Sequence, residues 1–343
     1  MPTAFLQKKN SPLERGLFCA FYWEKYNLSL THLPNLCYTH HRKSIRSAEL
    51  DANLLHSFLE RLIMKNRKKW IIWSAVALFF AVIIGLTIWG NTSVALKTVT
   101  ITDSEIPKDF NGYRIALVSD LHNSRLWEKA IAKVEKAEPD IVVIAGDLMG
   151  REDMDVERAL NFVLEMMKIT EGFCFYIPGN HEKDLPEETY AKLLEGMRSM
   201  GVRIMDEDDP VAMMINGKGE YIALVGDAAG DPSKVGQLGS DNPTYQNFDG
   251  YKILLTHNPA YFDDYAAAGF DLVLSGHTHG GQIRLPFIGA VYCPDQGFFP
   301  EYDSGVITKG DTTIVISRGI GNSRVPIRFL CRPEVVVIEL QHG

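Results

Sequence analysis

The chain has 343 residues, with 43 acidic against 35 basic side chains and a formal net charge of −8. The charge is uneven: residues 1–69 hold 12 Lys/Arg and 5 Asp/Glu, while residues 70–343 hold 23 and 38. So acidic a main portion argues against a nucleic-acid phosphate backbone as its partner, and no nucleic acid is expected. Residues 1–63 carry scattered aromatics, histidines and prolines and show no helical period outside 48–63. The basic segment 1–69 is expected to be a disordered cytoplasmic tail, or else a start-site artefact with Met64 as the true initiator. Trp70 to Trp89 then runs twenty residues without a charge. As a helix it is about 30 Å long, the thickness of a bilayer core, with tryptophan at both ends. Arg61, Lys65, Arg67, Lys68 and Lys69 precede it, and only Lys97 follows closely. The positive side stays in the cytoplasm, so residues 70–89 read as a single-pass anchor of the cell membrane with an extracytoplasmic C-terminal portion. Ser93 and Ala95 leave a cleaved signal as the alternative, but the apolar stretch exceeds the usual signal core of about 7–15 residues.

Residues 90–343 are ample for one large α/β domain. Val94–Thr102 alternates and reads as a first strand. Only residues 90–93 precede it, and four extended residues reach at most about 14 Å, so the domain should sit close to lipid. Segments 125–137, 153–169, 186–199 and 260–268 show helix spacing. Short apolar runs at 114–119, 140–145, 173–177, 251–256 and 270–275 read as strands covered on both faces. Residues 227–248, rich in Gly, Pro, Ser and Asp, read as a loop near the mouth of a site. Cys174 reads as inert core, and the three cysteines beyond residue 90 imply no disulfide framework.

Each of those five strands ends in a block of polar residues. The blocks are Asp120-Leu121-His122, Gly146-Asp147, Gly179-Asn180-His181-Glu182, His257-Asn258 and Gly276-His277-Thr278-His279. All five histidines between Trp70 and Gln341 fall inside them. Ligands gather beyond the carboxyl ends of strands in open α/β sheets, so one shared site is expected. Imidazoles, carboxylates and an amide make the ligand set of a two-metal hydrolytic centre, and the absence of thiolates suits Mn, Fe or Zn. Asp120 and His122, two apart, point to the same side and can grip one ion; His277 and His279 can reach one ion or two neighbouring ones.

These blocks, in this order, resemble the calcineurin-like metallophosphoesterases over about residues 94–341. The resemblance implies an α/β fold, a four-layer α/β/β/α sandwich, preceded here by one transmembrane helix. It implies that Asp120, His122 and His279 hold a first metal, that Asn180, His257 and His277 hold a second, that Asp147 bridges them, and that His181 is the catalytic acid. The cofactors would be two divalent transition-metal ions, Mn, Fe or Zn, about 3.5–4 Å apart, generating a bridging hydroxide that attacks phosphorus. Glu182 is expected either to orient the His181 imidazole or to form a surface salt bridge. Leu148-Met149-Gly150-Arg151 departs from the Gly-Asp-x-Val-Asp-Arg-Gly pattern of protein serine/threonine phosphatases, which speaks against a phosphoprotein substrate. The chain is more similar to bacterial membrane-associated phosphodiesterases and to the pyrophosphate hydrolases of lipid A synthesis. The substrate implied is thus a phosphodiester or pyrophosphate of envelope lipids or cell-wall polymers. A broad phosphomonoesterase and a membrane-tethered metal-binding module without catalysis are the alternatives. Residues 285–288 and 298–300 read equally as an apolar lip for acyl chains or as strands of a second sheet. Among Arg318, Arg324 and Arg328, one is a candidate phosphate clamp.

Overall fold

The computed structural model describes residues 33–343 other than 218, 324 and 325, with side chains from residue 53 onward. The chain divides into two compact units, Met1–Phe79 and Phe80–Gly343. Helix α1 covers Leu33–Thr92. Its length follows from composition: no Gly or Pro occurs between Asn35 and Ile84 to interrupt the hydrogen-bond ladder. The segment expected to lack regular structure is therefore helical from Leu33 on; residues 1–32 lie outside the described residues. From Asn53 to Phe79 the helix is exposed. Over Asn53–Thr92 the helix is long and apolar enough to cross a membrane, and its most apolar window, of mean hydropathy 2.6, buries nothing inside the protein.

The second unit is built on two six-stranded sheets. Its elements in chain order are β1 (Ala95–Asp103), β2 (Arg114–Val118), α2 (Trp127–Ala137), β3 (Ile141–Ala145), α3 (Val156–Ile169), β4 (Cys174–Ile177), the single turn α4 (Asn180–Lys183), α5 (Glu187–Ser199) and β5 (Arg203–Ile204). There follow β6 (Val211–Asn216), β7 (Glu220–Asp227), the turn α6 (Pro243–Gln246), β8 (Lys252–Thr256), α7 (Phe262–Ala267) and β9 (Leu272–Ser275). Last come the two-residue strands β10 (Arg284–Leu285), β11 (Gly289–Ala290), β12 (Tyr292–Cys293) and β13 (Gly297–Phe298), then β14 (Gly305–Lys309), β15 (Thr312–Ile316) and β16 (Glu334–His342). One sheet runs β1-β16-β2-β3-β4-β5 and the other β14-β15-β9-β8-β7-β6. In the first, β2 to β5 are parallel and β16 pairs antiparallel with β2; in the second, β7, β8, β9 and β15 are parallel between antiparallel edges β6 and β14.

The apolar core lies in three clusters, and strand alternation assigns residues to them. Ile115, Leu117, Ile141 and Val143 of the first sheet face Ile253, Leu255, Leu272 and Leu274 of the second. The opposite pleats, Ala116, Val118, Val142 and Ile144, pack on Ala130, Phe162, Val163 and Leu193 of α2, α3 and α5. Beyond the second sheet, Leu254, Val273 and Ile314 pack on Phe262 and Tyr265 of α7. Strands buried on both faces read as continuous apolar runs, which is why β2, β3, β4, β8 and β9 were visible in the sequence. Helix α3 shows the complementary pattern. It buries Ala159, Phe162, Val163 and Met166, and Asp155 caps it by accepting the Arg158 N–H at 3.0 Å.

Two expectations change. Residues 227–248 are not a bare loop: they carry a 3₁₀ turn (Pro232–Gln237) and α6, their Val235, Leu238 and Tyr245 cover the outer face of the second sheet, and Ala229 O accepts from Lys183 Nζ in the turn that carries Asn180 and His181. Residues 285–288 and 298–300 belong to two short hairpins, β10–β11 and β12–β13, and not to the second large sheet. Cys174, Cys293 and Cys331 are all buried and free, and burial pushes the Cys174 thiol up to about 12.

Candidate metal centre

The five polar blocks leave the carboxyl ends of β2, β3, β4, β8 and β9 and converge where the two sheets meet. The backbone there is unusual. Asp120, His122, Asp147, His277 and His279 all have positive φ, at 50°, 46°, 53°, 70° and 51°. Left-handed backbone at non-glycine residues persists only where the surroundings over-determine it, and it concentrates at functional sites. The glycines make the approach feasible. Gly146 has φ +79°, and a Cβ there would meet Gly179 N at 2.5 Å; one on Gly276 would meet Asp120 Oδ2 at 2.5 Å.

The result is two groups of donor atoms sharing one carboxylate. On one side, His122 Nε2 lies 3.1 Å from His279 Nε2, which is 3.6 Å from Asp120 Oδ1. On the other, Asn180 Oδ1 lies 3.0 Å from both His257 Nε2 and His277 Nδ1. Asp147 Oδ2 stands between them, 3.6 Å from His122 Nε2 and 3.4 Å from His257 Nε2. The two histidines of the Gly-His-x-His block thus diverge, His277 to one group and His279 to the other. His181 gives its backbone N–H to Asp147 Oδ1 at 2.8 Å, while its Nε2 is 3.9 Å from Asp147 Oδ2.

These donors fit cations. His277 Nε2 is 2.9 Å from the Asp295 carboxylate, so that nitrogen carries the proton and Nδ1 presents a lone pair to the Asn180 carbonyl oxygen. His279 Nδ1 is 3.3 Å from both Gly321 O and the Arg328 guanidinium, and its Nε2 faces His122. Lone pairs about 3 Å apart repel unless a positive charge lies between them. The charge states of His122, His277 and His279 agree, whereas that of His257 does not. Burial lowers His122 and His277 to about 4, with neighbouring imidazoles adding to the effect, and burial drives His279 well below its ordinary value. Burial also opposes a charge on His257, but the adjoining Asp147 carboxylate outweighs it and raises this histidine to about 10. Burial works against a charge on Asp147 too, yet His257 and His122 hold it well below the carboxylate range. Asp120, fully buried, is pushed up to about 6, chiefly by desolvation. Burial lowers His181 as well, against the pull of Asp147.

The neighbours of the site depart from the sequence reading. Glu182 neither orients His181 nor reaches the surface. It is fully buried and accepts N–H bonds from Asp147 and Gly179 at 2.8 Å and from Met149 at 3.0 Å. Asp295, in the β12–β13 turn, holds His277 and was not foreseen; a single Asp in a Pro-Asp-Gln-Gly turn carries no signal for it. Arg328 is fully buried and donates to His279 O, Arg318 O and Asn322 Oδ1, so it supports a ligand loop and clamps no phosphate. Arg318 lies 3.9 Å from Glu334, and Arg324 is outside the described residues. The arginine that lines the cleft, among the described residues, is Arg151, paired with Asp184. The cleft itself is about 570 Å³. Asp147, Asn180, His181, His277 and His279 contribute its polar part, and Ile283, Val291, Tyr292 and Pro294 its apolar part.

A family model described as calcineurin-like phosphoesterase matches residues 113–281. The chain is 31% identical over 250 residues to the uncharacterized metallophosphoesterase YkuE of Bacillus subtilis, covering 71% of this chain and 84% of that protein. Phosphodiesterase YaeI of Escherichia coli is 30% identical over 236 residues, covering 66% of this chain and 82% of the relative. A Danio rerio protein named as a transmembrane protein with metallophosphoesterase domain is 28% identical over 281 residues, covering 75% and 61%.

Proposed function

This chain belongs to the calcineurin-like phosphoesterase family and is a metal-dependent phosphoesterase, and from that premise we propose that it is a membrane-anchored hydrolase of phosphodiester or pyrophosphate bonds in envelope lipids or cell-wall polymers. The observation that carries the reading is the position of Asp147 Oδ2 between two opposed groups of nitrogen and oxygen donors. In this reading Asp120, His122 and His279 hold one ion, Asn180, His257 and His277 hold the other, and Asp147 bridges. Two Mn, Fe or Zn ions bound there would supply Lewis-acid stabilisation of phosphoryl charge and a water acidic enough to attack near neutral pH. Asn180 ligates without adding negative charge, which keeps the centre attractive to phosphate. His181, which lines the cleft, is the side chain assigned to protonate the leaving oxygen. Its ring lies 4.4 Å from that of His122 at the cleft, close enough to deliver a proton to a phosphoester seated there.

A diester preference is supported by the name of the Escherichia coli relative, a phosphodiesterase. The membrane anchor is supported by the apolar helix, by the basic residues 61–69 that precede it, and by the name of the Danio rerio relative. The cytoplasmic N-terminus and extracytoplasmic catalytic unit follow from that charge asymmetry. The test uses the full chain in detergent with Mn added, comparing a bis-aryl phosphodiester with an aryl monoester. The diester should turn over faster; a faster monoester would make it a broad phosphomonoesterase. His181→Ala should retain its metals and lose about 100- to 10,000-fold in rate. Undiminished turnover would remove His181 from the acid role.

A further inference from the structure

The hairpins β10–β11 and β12–β13 put large apolar side chains into water. Phe287 is 109% exposed, Phe298 73% and Phe299 65%; Ile288, next to Phe287, and Ile327 and Leu330, farther along the chain, are exposed too. Backbone bonds join these segments into one surface. Arg284 N–H donates to Phe329 O at 3.0 Å, Val291 N–H to Ile283 O at 3.1 Å, and Phe299 N–H to Val291 O at 3.0 Å. A single exposed apolar residue needs no explanation, but a contiguous set of this size marks a contact surface. The surface is continuous with the cleft, which Ile283, Val291 and Tyr292 line.

Backbone conformation is a second, independent sign. Ile288 N–H bonds to Leu285 O at 3.3 Å, closing a turn with Pro286 second and Phe287 third. Phe287 has φ 66° and Phe299 φ 56°. Gly or Asn suits such positions, and a bulky aromatic is disfavoured. Because both rings are exposed, packing within the chain does not offset the strain.

The third observation says what covers the surface. Within the same unit, Phe80–Trp89 is the apolar, exposed end of α1. Directly after it, Asn91 Nδ2 donates to Arg328 O at 2.8 Å, and Arg328 N–H returns a bond to Asn91 Oδ1 at 2.9 Å. The Arg332 guanidinium lies 4.7 Å from the centre of the Trp89 ring. The chain carrying Ile327 and Leu330 is thus tied to the first residues beyond the apolar helix. Ile283, bridged to Phe329, is four residues from Phe287, at most about 14 Å of extended chain.

We propose that the Phe287 and Phe298–Phe299 turns insert into the interfacial layer of the bilayer that α1 crosses, so that the cleft opens against lipid and receives a phosphoester whose apolar anchor stays in the membrane. The substrate half of this inference rests on the phosphoesterase reading above, and the lipid contact rests on the membrane-anchor reading. Exposed aromatic side chains are what a membrane interface holds.

The experiment places the full chain in nanodiscs of phosphatidylethanolamine and phosphatidylglycerol containing a trace of phospholipid with a photoreactive acyl chain. After illumination, labelled peptides are mapped. Label is expected on residues 284–299 as well as on 70–89. The double variant Phe287→Asn, Phe299→Asn suits the backbone of both turns, so its melting temperature should not fall. It should lose the turn label and lose about tenfold or more in turnover of a bilayer-embedded phosphodiester lipid, while a water-soluble bis-aryl diester is hydrolysed as before. Label confined to 70–89, or turn label unchanged in the double variant, overturns the proposal. Turns that label normally in a protein hydrolysing neither diester would leave the lipid contact standing and remove the proposed function instead.

Discussion

Glu182 offers a sharp test of how the site is held. Its carboxylate gathers three backbone N–H groups, from Asp147, Gly179 and Met149, at 2.8, 2.8 and 3.0 Å. It thereby ties the loop after β3 to the loop after β4, and those loops carry Asp147, Asn180 and His181. Glu182→Gln keeps the size. Its single carbonyl oxygen, placed where Oε2 stands, still serves Asp147 and Gly179. The amide nitrogen then meets the Met149 N–H, donor against donor, in a position with no solvent access. One orphaned buried donor costs about 1–3 kcal/mol, and the two surviving bonds weaken because the acceptor is no longer charged. Against this, the variant no longer buries an acid that desolvation and the Asp147 charge push up to about 7. The expected balance is a loss of about 2 kcal/mol, or about 4–8 °C in melting temperature for a unit of this size. Glu182→Ala strips all three acceptors and should cost more than twice as much. Thermal unfolding of the metal-loaded full chain measures the loss, with metal content per chain determined alongside. If Glu182→Gln shifts the melting temperature by under about 1 °C and binds metal normally, the carboxylate is not what fixes the loops.

Three further outcomes follow from the same geometry. Asp295→Asn should weaken metal uptake about tenfold, the lower end for a group that orients a ligand, because the Asp295 side chain is 55% exposed; titration with Mn or Zn reads this, and unchanged affinity refutes the role. Metal uptake should strengthen with rising pH. His257, raised to about 10 by Asp147, carries a proton that a cation must displace below that pH, whereas His122 and His277, lowered to about 4, are already free at neutrality. About one proton should be released per chain on loading, measurable by calorimetry in buffers of different ionisation enthalpy. Arg328→Met should destabilise the fold by about 3 kcal/mol or more, since it leaves buried carbonyls of the His279 and Gly321 loops without their donor; a chemical denaturation midpoint within error of the parent would refute that.

The sequence by itself marked the strands that end in polar blocks and the residues that are proposed as ligands. Strands β2, β3, β4, β8 and β9 are buried on both faces, so they could be written only in unbroken apolar letters, and Asp120, Asp147, Asn180, His181, His257, His277 and His279 stand where those letters stop. It also determined helices α2, α3, α5 and α7, whose apolar spacing records the sheet they cover. The edge hairpin β6–β7, the β14–β15 pair and the long β16 fell outside the reading, because no polar block marks their ends. Only the tertiary structure decided what depends on distances between far-apart stretches. His277 and His279 divide between two donor groups where five residues of the polar blocks adopt left-handed backbone, a choice that no local pattern encodes. Glu182, Asp295 and Arg328 hold the ligands through contacts that close over the fold, and each looks like an ordinary charge in the chain. Local physics writes periodicity into a sequence; it leaves no trace of which loop a charge will meet.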